Sequence, residues 1–227
     1  MSGLEKGLNE DKTIAYYDAH ADEFVSSTLS VNMSHAYSHF VNKLPVGGMI
    51  LDAGCGSGRD SLKFSELGFQ VISMDASENL CILAQKLLNT EVLHLTFDQM
   101  TFDDQFDGIW ACASLVHVSE ETLSTVLLKL IAALKHDGIL YASWKYGDSE
   151  RCDNDRFFCD MNEYRLKRCL SRIDGIVMEE IWISQDVRES MYSQKWLNVI
   201  IRKANQKTVD KKVYHLLDCN GKPNDSH

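Results

Sequence analysis

Between residues 49 and 144 the chain alternates short apolar runs with amphipathic stretches, and this limits its fold more than any other feature. "MILDAG" (49–54) is a nearly continuous apolar run, the pattern of a strand buried on both faces of a sheet. "RDSLKFSELG" (59–68) reads as a helix closed by Gly68. "FQVISMD" (69–75) is the next strand, and Ser77 caps a helix over 78–88. "EVLHL" (91–95) and "FDGIWACASL" (106–115) form the third and fourth strands. "EETLSTVLLKLIAALKHDG" (120–138) is an amphipathic helix stopped by Gly138, and "ILYASW" (139–144) is the fifth strand. Such alternation builds right-handed βαβ units, and so a parallel sheet with helices on both faces. With only two prolines in 227 residues, long regular elements are unobstructed.

The flanks follow other rules. Ile14, Tyr17, Ala21, Phe24 and Val25 recur at helical spacing over 10–25, a second helix lies near 33–43, and "LPVGG" (44–48) ends it. "NEYRLKRCLSRI" (162–173) is helical. "IVMEEIWISQDV" (176–187) and "QKWLNVIIRK" (194–203) are strands too close in sequence for a parallel crossover, so they pair antiparallel. Residues 1–45 are thus expected to form a helical lid, 46–203 the main domain, and 204–227 a polar tail in which "VYHLLDC" (213–219) is able to pack.

Composition narrows the function. A formal net charge of −10 argues against a non-specific nucleic-acid binder or a polybasic membrane-surface protein, since both need a cationic face, and against DNA as a partner. No run approaches the ~18 apolar residues of a spanning helix. "MSGLEKGLNEDK" (1–12) is too polar for a signal peptide, and the expected location is the cytoplasm. The seven cysteines include no C-x-x-C pair, so neither a metal site nor a redox motif is expected, and the thiols read as reduced.

The loop in "ILDAGCGSGRD" (50–60) joins the first strand to its helix. A glycine-rich strand-to-helix turn exposes free N–H groups and permits close approach of a nucleotide. Gly54, Gly56 and Gly58 give G-x-G-x-G rather than the dinucleotide fingerprint G-x-G-x-x-G. Asp52 stands two positions before Gly54, where a carboxylate suits an ammonium better than a pyrophosphate. Asp75 ends the next strand, placed to accept hydrogen bonds from ribose hydroxyls. A ligand with a ribose at one end and a cationic amino group at the other fits both, and S-adenosylmethionine has these groups.

At this point the chain resembles a family. "ILDAGCGSGRD", "VISMD", "FDGIWACASLVHV" and "LKHDGILYASWKYG" are similar, in order, to the motifs of class I S-adenosylmethionine-dependent methyltransferases. The likeness is close over 45–147 and extends to "YYDAHADEF" (16–24) and "KWLNVIIRK" (195–203). "GCGSGRD" followed by "VISMDAS" resembles the small-molecule enzymes of tellurite-resistance type. The resemblance implies a doubly wound, mostly parallel seven-stranded α/β sheet, Rossmann-like, with an antiparallel C-terminal hairpin. It implies S-adenosylmethionine as methyl donor, S-adenosylhomocysteine as product, and no metal. By the same resemblance Gly54, Cys55, Gly56 and Gly58 run under the methionine part, with Ala53 and Arg59 flanking. Asp52 acts through or near the amino group, Asp75 holds the ribose, and Ala76 or Ser77 lies against the adenine. Phe97, Asp98 and Gln99 reach the adenine edge, and Ala111 and Cys112, with Ala113, lie along the cofactor. Tyr16 or Tyr17 closes over the sulfonium end. Adjacent helical residues point about 100° apart, so one of the pair is expected in the pocket, with Tyr17 the candidate.

Methyl transfer asks mainly for in-line positioning of the acceptor, and for a base where the acceptor loses a proton. The candidates follow the carboxyl ends of the strands: His117 after the fourth, and Lys145 with Tyr146 after the fifth. His20, His35 and His39 lie in the lid segment. "ERCDNDRFF" (150–158), Asp186, Arg188 and Trp196 are placed to shape the acceptor end. Arg151, Arg156 and Arg188 suit an anionic acceptor unless they form surface ion pairs. "ACAS" (111–114) stands where amino-methylating nucleic-acid enzymes carry N-P-P-Y, and neither Cys55 nor Cys112 has the proline of the cytosine-C5 type. A small-molecule acceptor is therefore expected. The alternatives are an RNA- or protein-modifying methyltransferase and an NAD(P)-binding oxidoreductase, the latter opposed by the loop spacing and the lack of Tyr-x-x-x-Lys. The sequence does not set the oligomeric state.

Overall fold

In a computed structural model, residues 3–188 and 193–204 are described, with 3–10 described by backbone alone. The tail expected at 204–227 lies outside them beyond its first residue.

The buried alternation does what its pattern demands. Strands β1 (Met49–Ala53), β2 (Gln70–Asp75), β3 (Val92–His94), β4 (Phe106–Ala111) and β5 (Leu134–Lys145) pair in parallel in the order β3-β2-β1-β4-β5. Helices α4 (Arg59–Glu66), α5 (Glu78–Leu88) and α6 (Glu120–Ala133) connect them. Strands β8 (Ile176–Gln185) and β9 (Lys195–Lys203) complete a seven-stranded sheet, β9 lying antiparallel between β5 and β8. Successive residues serve opposite faces. Ile50, Trp110, Tyr141 and Ile200 pack with Phe40 and Phe64 on one face, and Leu51, Ile109, Leu140 and Val199 pack with Leu127 and Leu130 on the other. This sheet is the doubly wound, Rossmann-like architecture expected.

The boundaries differ in places. The helix expected over 10–25 is two, α1 (Gly3–Ala19) and α2 (Ala21–Thr28), because His20 leaves helical geometry and its Nδ1 binds the Tyr16 carbonyl at 2.8 Å. Helix α3 (Ser34–Val41) follows. Gly138 does not stop α6. The helix ends at Ala133, because Leu134 already pairs with Phe106, and the register shift between Phe106 and Gly108 absorbs the following residues. A hairpin, β6 (Glu150–Asp153) and β7 (Arg156–Cys159), had no counterpart in the strand assignment. Its turn residues Asn154 and Asp155 have φ of 49° and 60°, as a two-residue hairpin turn needs. Helix α7 (Glu163–Leu170) then leads to β8. Helix α1 packs on β7 and α5, across the carboxyl ends of the parallel strands. Among the described residues no helix is long and apolar enough to cross a membrane.

Candidate functional site

The loop after β1 is shaped by what crowds it. Gly54 has φ 88°, and a Cβ there would stand 2.4 Å from Ser114 Cβ. A Cβ on Gly56 would meet Phe24 of α2 at 2.8 Å. Only glycine allows this backbone path. The N–H groups of Gly54 and Cys55 both donate to Met74 O at 2.9 Å, tying the loop to β2.

Asp75 closes β2 under this loop. Its Oδ2 accepts from Gly56 N at 2.8 Å and its Oδ1 from Ser77 N at 2.9 Å. Burial pushes its pKa up, and these backbone N–H groups pull it down. Carboxylate oxygens retain lone pairs beyond these bonds, so hydroxyl donors are still accommodated. Ser77 caps α5 as expected, accepting from Leu80 N. Asp18 of α1 reaches the same place: its Oδ1 accepts from Ser77 Oγ at 2.6 Å and from Asn79 N at 3.1 Å, a carboxylate at a helix N-terminus.

Sheet and helices enclose a cavity of about 920 Å³, lined at one end by Gly54, Cys55, Gly56, Asp75, Ala76, Ser77 and Phe97. This is near the upper end of the roughly 300–1,000 Å³ typical of ligand pockets. Tyr17, Arg59, Cys112, Ala113, His117, Lys145, Arg188 and Trp196 also line it, with His20 and His35 from the N-terminal segment. Tyr16 and Tyr17 both line it, contrary to the expectation of one, because the cavity follows the helix over both directions; their rings stand 5.7 Å apart at 89°.

Several candidates do not reach this space. Asp52 is buried beneath the loop and accepts from Ser61 Oγ at 2.6 Å. Burial, then the neighbouring Asp60 charge, push its pKa up. Ala53 and Ala111 are wholly buried in the sheet. The helical turn at 97–99 points Asp98 and Gln99 outward: both are exposed, and Gln99 Oε1 accepts from Thr96 N at 2.9 Å. His39 instead stacks on Trp182 at 4.4 Å and pairs with Glu180, while Tyr146 bonds Glu163.

Asp60 was not singled out, because in sequence it is only an acid in the first turn of a helix. In the structure its carboxylate gathers Tyr37 OH at 2.5 Å, Trp110 Nε1 at 2.8 Å and Arg59 Nε at 2.6 Å. Arg59 therefore faces the cavity already paired. Ser114, missed likewise, lines the cavity with a buried Oγ that has no hydrogen-bond partner. Ala113 beside it holds φ 54°.

At the other end His117 Nδ1 lies 2.6 Å from Phe157 O and Nε2 lies 2.9 Å from Tyr17 OH. A carbonyl only accepts, so Nδ1 carries the proton and Tyr17 donates to Nε2. Burial lowers the His117 pKa to about 4, with the Arg156 and Lys145 charges adding to it. Burial also raises that of Tyr17. Lys145 Nζ stands 3.7 Å from the Phe158 ring centroid. Arg151 is paired with Asp160, and Arg188 with Asp186, which also accepts from Trp196 Nε1.

The described cysteines carry no disulfide. Burial raises the thiols of Cys81, Cys112 and Cys159 to about 12, and among the described residues only Cys152, on β6, is an exposed cysteine. Among the described residues no group of three His, Cys, Asp or Glu is arranged to hold a metal.

Residues 50–138 match the family model described as a methyltransferase domain. The chain is 31% identical over 143 residues to the putative methyltransferase YqeM of Bacillus subtilis, covering 54% of this chain and 58% of that protein. It is 27% identical to the malonyl-[acyl-carrier protein] O-methyltransferase of Buchnera aphidicola, over 64% of each chain. The chain thus spans about three fifths of the length of these relatives. In structure it is similar to Burkholderia thailandensis 1,6-didemethyltoxoflavin-N1-methyltransferase, solved with 1,6-didemethyltoxoflavin and S-adenosylhomocysteine bound. That match has a TM-score of 0.72 at 21% identity and covers 90% of this chain and 92% of that one.

Proposed function

We propose that this protein transfers a methyl group from S-adenosylmethionine to a small-molecule acceptor. One observation carries the reading: a cavity of about 920 Å³ runs from the Gly54–Asp75 end to the His117–Lys145 end. The residues fit the donor. The glycine backbone, packed against Ser114 and Phe24, borders the cavity, and the half-buried Asp75 carboxylate keeps accepting capacity for ribose hydroxyls. Ala76, Ser77 and Phe97 line the adenine side, and Cys112 and Ala113 run along the middle. Asp52 works from beneath, through Ser61 and the loop, rather than by contact. When bound, the donor supplies a methyl already activated on a sulfonium.

The chain's own residues position and enclose. In-line placement is worth ~7–11 kcal/mol of barrier. His117 is neutral near pH 7 and already engaged by Tyr17, so its task is to hold Tyr17 and the lid helix α1 against the acceptor rather than to act as a free base. Helices α1–α3 form a lid, tied down through Asp18 and Tyr17. A structural neighbour solved with 1,6-didemethyltoxoflavin bound supports a small acceptor, as does the loop's likeness to the tellurite-resistance type.

Calorimetry against S-adenosylmethionine, S-adenosylhomocysteine and NADH tests the reading. The first two should bind and NADH should not; NADH binding alone overturns it. Release of S-adenosylhomocysteine across a panel of small acceptors then reads out transfer.

A further inference from the structure

Most arginines near the cavity are already neutralised. Arg59 pairs with Asp60, Arg151 with Asp160 and Arg188 with Asp186. Lys145 and Arg156 are different: both line the cavity, and neither has a carboxylate partner among the described residues. Instead both lean on aromatic faces. Lys145 Nζ is 3.7 Å from the Phe158 centroid, and Arg156 Cζ is 5.2 Å from the same ring and 4.4 Å from that of Tyr16. Arg156 Nε is buried with no hydrogen-bond partner. The acids that face Lys145 are Asp153 and Asp160; neither pairs with it, and Asp160 is committed to Arg151. Burial, then the Arg151 and Arg156 charges, depress the Lys145 pKa, and Arg156 and Lys145 help to keep His117 neutral. In a chain of net charge −10, a half-buried pair of unpaired cations is costly unless an anion completes it.

We infer, building on the methyltransferase reading, that the acceptor is an organic acid whose carboxylate or phosphate is held between Lys145 and Arg156. The guanidinium fork of Arg156 suits either anion, and Lys145 adds a point charge. Tyr16 and Phe158 flank the anion with apolar surface, and His117 and Tyr17 separate it from the glycine loop. The cofactor's own carboxylate belongs to the other end, near Gly54.

Protein saturated with S-adenosylhomocysteine is titrated calorimetrically with salicylate against salicylamide, and with phenyl phosphate against phenol. At least one acid should bind about tenfold more tightly than its neutral partner, and which acid does so separates carboxylate from phosphate. Arg156→Met and Lys145→Met should each weaken that acid about fivefold or more while leaving S-adenosylhomocysteine affinity within about threefold. Arg156→Lys should restore part of the loss. Equal binding of acids and neutral partners, no acid binding at millimolar concentration, or unchanged acid affinity in both Met variants overturns the proposal. A parallel fall in S-adenosylhomocysteine affinity also overturns it, because the pair would then be holding the cofactor. Failure of S-adenosylhomocysteine to bind the wild-type protein sinks the methyltransferase reading instead. The same acid-against-neutral comparison on the unliganded protein then decides the anion site.

Discussion

The glycine-loop end and the Lys145–Arg156 end of the cavity differ in what supplies their polarity. At the first, backbone N–H groups meet the Asp75 carboxylate, and this core of the end comes from β1, β2 and the turns that follow them. At the second, side chains converge from α1, the turn after β4, β5 and β7, segments far apart in sequence. The first end is set mainly by local geometry; the second is assembled by long-range packing.

The comparison breaks most visibly at Gly54. Gly54→Ala places a Cβ against Ser114 at φ 88°, so stability should fall by about 2 kcal/mol and donor affinity by more than about tenfold. Urea unfolding and calorimetry measure the two; a variant that binds like wild type would remove the loop from the donor site. Asp75→Ala should cost about tenfold in donor affinity, or about 1.4 kcal/mol, with acceptor binding unchanged. Equal losses of donor and acceptor affinity would mean that the two ends are not separable.

At the other end His117 gives a pH signature. Its pKa is lowered from 6.5 to about 4 in the folded chain, so the unfolded chain binds more protons between those values. Stability therefore falls as pH drops from about 6.5 to about 4 and is insensitive to this group above that window. His117→Gln should flatten the fall by on the order of 2 kcal/mol, read as the difference between wild-type and variant unfolding curves at pH 7 and pH 4.5. The smallest effect is expected at the β6–β7 turn. Asp155→Gly, at φ 60°, should stabilise the chain by about 0.5 kcal/mol, seen as a small rise in Tm, and should leave donor affinity unaltered.

The same contrast explains what could be read from the sequence. Buried strands announce themselves by continuous apolar runs, and Gly54, Asp75 and Ser77 follow from their offsets to β1 and β2, so the sheet and the glycine-loop end of the cavity are legible in the sequence. Asp18 on α5, Tyr17 on His117, and the gathering of Tyr37, Trp110 and Arg59 at Asp60 join residues many positions apart, and no local pattern records them. The β6–β7 hairpin lies between these cases. Asn154-Asp155 between "RCD" and "RFF" is a two-residue turn signal, but the flanking runs are too short to show an alternation. Asp98 and Gln99 were misplaced because a stretch dense in aspartates does not reveal which way a tight helical turn points its acids.

The distribution of thiols has a practical consequence. Cys152 is exposed on β6, across from Phe157 and one position from Arg151, while Cys55, Cys81, Cys159 and Cys169 are buried and the Cys112 thiol, raised to about 12, is scarcely ionised at neutral pH. With Cys219 changed to serine, a maleimide dye would therefore attach almost selectively to the hairpin that carries Arg156 and Phe158. Its emission would register occupancy of that end in real time, giving a spectroscopic search for the acceptor that needs neither turnover nor a radiolabel.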